Sequence, residues 1–345
     1  MPKLQSDRAY SKHKQVIIII ALALFTFAAS IISIMIGRYP ISLNELKQVV
    51  SSLMRGQIGF GPVWGVILDM RLPRIIGALF VGSSMAMAGA AFQGVFKNPM
   101  VSPDLLGASA GASCGAALAI LMSFPTALIP VPAFLGGLVS VFFAYMLSVF
   151  LDTSRRSTLI LILSGMVVAN LFSAGISLIK FVADPNSKLP EITFWLMGGL
   201  AGVTMREVAI LIVPVAIGIV LLFLFRWKLN IMTLGDEEAE SLGVNTRRIR
   251  FIVILGATLM TSASVAVSGM VGWVGLIVPH LARRLVGPDY RVLLPVSLLM
   301  GASFLLIVDD VARCVYTTEI PISILTAVIG VPLFVMLLRK QRGSE

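Results

Sequence analysis

The chain has 345 residues, 57% of them hydrophobic and only 13% charged, with a mean hydropathy of +0.96. A soluble domain carries roughly a quarter charged residues, so the composition excludes one and implies an integral membrane protein. The net charge of +10 comes from small basic clusters between apolar runs, without the continuous stripe and interleaved aromatics of a nucleic-acid surface, and the two cysteines and two histidines form no disulfide framework or ligand cluster.

A helix needs about twenty apolar residues to cross the hydrocarbon core. Ten segments are candidates: 16–36, 75–96, 105–123, 131–151, 158–180, 207–225, 251–268, 272–286, 292–309 and 322–338. The first follows Lys3, Arg8, Lys12 and Lys14 and reads as a retained helix, because no small-residue cleavage pattern precedes Gly37. Between the first two lies ISLNELKQVVSSLMR, a surface helix with Ser42 as N-cap. Glycines at 77, 82 and 89, and at 107, 111 and 115, allow close helix approach. The eighth segment is the weakest, being short and carrying Pro279 and His280; if it does not cross, the C-terminus changes sides. The expected fold class is an all-α integral membrane protein, a compact bundle of about ten transmembrane helices in one domain over 1–345.

Lys and Arg mark the cytoplasmic side. With ten crossings and the N-terminus inside, eighteen of the 27 basic residues fall inside. Both termini, including a tail at 1–15, are then cytoplasmic. So is the long polar interruption LGDEEAESLGVNTRRIR at 234–250, which reads as a short helix N-capped by Asp236, with acidic residues in its first turn and Gly243 left-handed beyond its end. On charge pattern alone a solvated loop helix fits it as well as a docking surface.

The mid-membrane positions hold almost no ionisable side chain, and Asp309 and Asp310 lie at a helix end where water reaches them; a proton- or sodium-coupled carrier needs such groups near the midplane. No G-x-x-x-x-G-K-[ST] phosphate loop is present, so the chain is not expected to be an enzyme that hydrolyses ATP. A permease without its own motor has a use for an acidic docking helix.

Several motifs in order then carry a resemblance: RLPR at 71–74, KNPMVSPDLLGASAGA at 97–112, WLMGGLAG at 195–202, LGDEEAESLGV at 234–244, GWVGLIVPHLARRLVGPDYRVLLP at 272–295 and EIPISILTAVIGVPLF at 319–334. Together they resemble the permease family of type II ABC importers for ferric siderophores, haem and vitamin B12, over nearly the whole chain after the first helix. The resemblance implies a coupling helix at 234–244, with Leu234, Gly235, Asp236, Glu237, Glu238, Ala239, Leu242 and Gly243 meeting the ATPase. It implies that Arg71, Arg74 and Arg313 meet carboxylates of a binding protein; the alternatives are that Arg71 and Arg74 anchor a helix end or are neutralised by Asp69, and, equally for Arg313, that it pairs internally with Asp309 or Asp310. It implies a conduit between two permease copies, lined from Ser157, Thr158, Ser164, Asn170, Ser173, Ser177 and Ser323. Tyr290 stands where histidine is common in the family, and Ser323 where glycine is.

The implied partners are a second permease copy in a homodimer or heterodimer, two cytoplasmic ABC ATPase subunits holding ATP and Mg, an extracytoplasmic binding protein and the lipid bilayer. This chain itself is expected to bind no cofactor and no metal, and to lie in the cytoplasmic membrane of a prokaryote. A secondary transporter working without an ATPase is the alternative, and a non-transporting receptor or scaffold a third.

Overall fold

The computed structural model describes residues 2–57, 59, 61–151, 158–316 and 318–342. Among the described residues, seven helical stretches are long and apolar enough to cross a membrane. In chain order, α1 is Pro2–Met35, α2 the surface helix Leu43–Met54, and α3 Pro62–Gly65, which runs through a π-helical turn Val66–Arg71 into α4, Leu72–Val95. After a 3-10 turn Pro103–Leu106 come α5 (Ala108–Leu121), α6 (Pro130–Leu151), α7 (Thr158–Val182), α8 (Lys188–Leu196) and α9 (Met205–Met232). The short polar helix α10 (Asp236–Ser241) precedes α11 (Thr246–Ser268), α12 (Val274–Val286), α13 (Tyr290–Cys314) and α14 (Ile322–Arg342). Each of the ten apolar segments read from the sequence falls on one of these helices; α5, α12 and α14 are the short ones.

At the centre stands α4, buried along nearly its whole length against α9, α11, α12 and α13. Its glycines make this possible. A Cβ on Gly82 would stand 2.2 Å from the Gly301 carbonyl oxygen of α13, and one on Gly89 only 1.8 Å from that of Gly275 in α12. Lipid tails are as apolar as leucine, so such close backbone approach, gained through dispersion, is what drives helices together.

The second span starts earlier than its hydropathy suggests. Helix continues unbroken from Pro62 to Val95 and so includes Asp69, Arg71 and Arg74, which cut the apolar run short in the sequence. Two of these charges are tolerated because other helices supply their partners. Surface helix α2 begins as expected, the Ser42 hydroxyl accepting from the Glu45 amide while the Glu45 carboxylate accepts from the Ser42 amide.

The weak eighth segment is a short helix, α12, separated from the end of α11 by a non-helical link. Ser268 ends α11 beside the α8–α9 loop, its carbonyl accepting from the Gly199 amide. Residues 269–273 form this link, with left-handed backbone at Gly269 (φ +66°) and Trp273 (φ +70°), and the 13 residues of α12 follow. Non-helical backbone within a membrane bundle needs protein cover, and in this link Val271 is buried. Helix α12 finishes near the start of α1, where Gln15 Nε2 donates to Val286 O, and near the end of α14, where Arg284 donates to Leu337 O. Gln15 of α1 and Leu337 of α14 therefore lie at one end of the bundle, the end that carries α10.

Candidate functional site

At the α10 end, α9 is tied to α13 through Asn230, which donates to Asp289 at 2.6 Å and accepts from the Tyr290 amide at 2.8 Å. Tyr290 itself is buried with its ring against Gly94 of α4. Three residues beyond Asn230 the chain leaves α9 and forms α10. Gly235, at φ +146°, takes the N-cap position, and Asp236 is the first helical residue rather than the cap expected from the sequence.

The Asp236 side chain is released for another task. Its Oδ1 accepts from Lys97 Nζ at 2.8 Å and its Oδ2 from Arg250 at 2.6 Å, which joins α10 to the loop after α4 and to α11. Burial pushes this carboxyl up, but the hydrogen bonds from Lys97 and Arg250 outweigh it and hold the group below the usual carboxylate range. Lys97 reaches it from a left-handed backbone at φ +52°. At its other end α10 closes with a Schellman turn: the Val244 amide donates to Ala239 O, the Gly243 amide donates to Glu240 O, and Gly243 has φ +77°.

These ties bury Ala239 completely and leave the opposite face bare. Glu237 and Glu238 are exposed, as are Leu234 and Leu242 at 63% and 61%, while Glu240 accepts from the Thr246 hydroxyl of α11. A soluble loop helix gains nothing from presenting two leucines to water, whereas a docking face does.

The opposite end of the bundle is organised by charge. Arg74 is buried and holds Asp309, itself completely inaccessible, through Nε at 2.8 Å and Nη2 at 2.9 Å, with a further bond at 2.8 Å to Glu319. Arg313 donates to Asp310 and to Ser33 of α1, and Arg71 donates to the carbonyls of Ile34 and Tyr39. All three arginines, expected from the resemblance to meet a binding protein's carboxylates, are buried and engaged inside the chain. The expectation that Asp309 is hydrated is corrected, and the acid that holds Arg74 is Asp309, 235 positions away, with Asp69 left exposed. Of the three acids only Glu319 is substantially open to solvent, its side chain 35% exposed. Beside this cluster lies a cavity of about 310 Å³ bounded by Arg74, Trp195, Glu207, Ser268 and Glu319.

Along α7, Asn170, Ser173 and Ser177 are exposed and spaced to share one helical face, among Met166, Val167 and Leu171. Ser164, expected on the same surface, is buried in the bundle, and its hydroxyl has no hydrogen-bond partner among the described residues. Thr158 is half-buried at the start of α7, and Ser157 lies outside the described residues. The Ser323 hydroxyl donates to Met197 O at 2.6 Å, so it fastens α14 to the end of α8 rather than facing an open surface.

Residues 22–340 match the model of the FecCD transport family. The chain belongs to that family. It is similar to the molybdate import system permease protein MolB of Haemophilus influenzae, with 40% identity over 95% of this chain and 97% of that one. It is also similar to a protein described as a probable iron chelatin transport system permease of Helicobacter pylori, at 35% identity over 93% and 98%. A solved inward-facing transporter of metal-chelate type superposes with a TM-score of 0.83 at 38% identity, covering 94% of this chain and 99% of that one. This FecCD chain is accordingly a multi-pass ABC importer permease and not itself an enzyme; the ATPase is a separate subunit.

Proposed function

We propose that this permease passes a metal chelate, a ferric siderophore, haem or corrinoid, inward along a conduit shared with a second permease copy. The chain acts throughout as one permease domain. In this reading the α10 end is cytoplasmic, both termini lie on that side, and two ATPase subunits holding ATP and Mg dock on Leu234, Glu237, Glu238 and Leu242. The observation that carries the reading is α10 itself: a helix pinned by Asp236 on one face, with apolar and acidic side chains left bare on the other. Gly235, Ala239 and Gly243 shape that helix and do not touch the partner.

An extracytoplasmic binding protein docks at the Arg74 end. Because Arg71, Arg74 and Arg313 are engaged internally, docking through them is an exchange of partners, and the Arg74 bond to half-exposed Glu319 is the one open to exchange. Asn170, Ser173 and Ser177 line the conduit, a weakly binding polar surface that does not trap a large cargo.

Reconstitution in liposomes tests this. Uptake of a ferric siderophore should require both the ATPase and the binding protein; uptake without either would establish a secondary transporter instead. Replacing Glu237→Lys with Glu238→Lys should abolish copurification of the ATPase, and unchanged copurification would remove α10 from the docking surface.

A further inference from the structure

Asp104 sits in what reads as a polar loop ahead of an apolar run, yet the fold carries that loop into the bundle. The 3-10 turn Pro103–Leu106 lies along α7: a Cβ on Gly165 would stand 2.5 Å from Leu105 O, and one on Gly107 would stand 3.3 Å from the Ala169 Cα. Gly165 and Ala169 lie about 10 and 17 Å into the span, counted from Thr158 at 1.5 Å per residue. On its other side the turn meets α12, with Pro103 packed on Gly275. The backbone around Asp104 is therefore enclosed between α7 and α12, two helices of the membrane bundle.

Little holds it there. The Ser109 hydroxyl donates to its carboxylate, and among the described residues no lysine or arginine forms an ion pair with it. Both Asp104 and Ser109 are only half-buried in the chain. An acid within a membrane bundle is not stable against lipid, so the side it presents belongs to a water-filled cavity or to protein. Next to it runs the exposed polar face of α7, on which Asn170 directly follows Ala169.

We propose that Asp104, positioned by Ser109, faces the translocation pathway and gives it a local negative potential. Such a group favours cargo that presents cationic or hydrogen-bond-donating groups, and opposes bare oxyanions. The proposal rests on reading the exposed face of α7 as the lining of the pathway.

The experiment reads that potential directly. In the permease–ATPase complex in membrane vesicles, Cys114→Ser and Cys314→Ser remove the native thiols, and Asn170→Cys places one on the exposed face of α7, next to Ala169, which packs on Gly107. The rates of modification by a cationic and an anionic methanethiosulfonate reagent are then compared. At a separation on the order of 8 Å through water, a unit charge would change the ratio of two oppositely charged reagents about fivefold. Asp104→Asn, which keeps the shape of the side chain, should lower the cation-to-anion ratio by about that factor, and Asp104→Glu should leave it. A reactive thiol whose ratio is unmoved by Asp104→Asn overturns the proposal while leaving the pathway in place. A thiol at 170 that neither reagent reaches overturns the pathway reading, and the proposal with it.

Discussion

Replacing Asp309 with alanine should be the most damaging single change at the Arg74 end of the bundle. Asp309 is completely inaccessible and receives two arginine nitrogens at 2.8 and 2.9 Å; its removal leaves Arg74, whose side chain is 9% exposed, with only the rim acid Glu319. Breaking a buried pair from one side costs about 3–5 kcal/mol, because the remaining charge stays buried without compensation. Glu319 offsets part of this, so a loss of about 3 kcal/mol is expected. The pair also joins α4 to α13, and the damage should therefore reach the whole bundle.

Thermal unfolding of the purified permease in detergent, followed by tryptophan fluorescence, measures the loss as a lower midpoint. The double replacement Arg74→Met with Asp309→Leu should recover most of the stability, since an apolar pair of similar volume avoids the desolvation cost. If Asp309→Ala unfolded within about 0.5 kcal/mol of the parent, as a change at an ordinary surface site does, Arg74 would not depend on Asp309. The internal clamp would then be the wrong account of this cluster.

Gly89→Ala should prevent correct assembly, because the new methyl group would overlap the carbonyl oxygen of Gly275, backbone that cannot rotate away. Gly199→Ala, with nothing within 4 Å, should be accepted, and the yield of monodisperse protein compares the two. At Asp236 the folded carboxyl is held below its ordinary value of about 3.9. Its stabilising contribution is therefore present above that value and is lost as the pH falls through the lower folded one. Hydrogen exchange across 236–244 should accelerate as the pH drops below about 4 once the intrinsic acid effect is removed; Asp236→Asn should already exchange faster at pH 7 and show no such step. An equal pH response in both proteins would detach α10 from its Lys97 and Arg250 anchors.

Much of this protein is legible in one dimension because hydropathy is a local property. A run such as Val16 to Ile36 cannot leave lipid whatever its neighbours do, and the Ser42–Glu45 and Ala239–Val244 turns close within a few residues. The ten apolar segments, the surface helix α2 and the short helix α10 follow from that locality, as does the ordered motif set that identifies the family. What only the tertiary structure decided are partners brought from distant positions. Asp309 looks hydrated at a helix end until α4 presents Arg74 to it, and Arg71, Arg74 and Arg313 look available until α1 and α13 engage them. Asp104 looks like a loop residue until α7 and α12 enclose its backbone, and Ser164 looks like lining until the bundle closes over it. The physical reason is shared. In a membrane a polar group is stable only where another part of the protein covers it, and which part does so depends on how the helices are arranged in space.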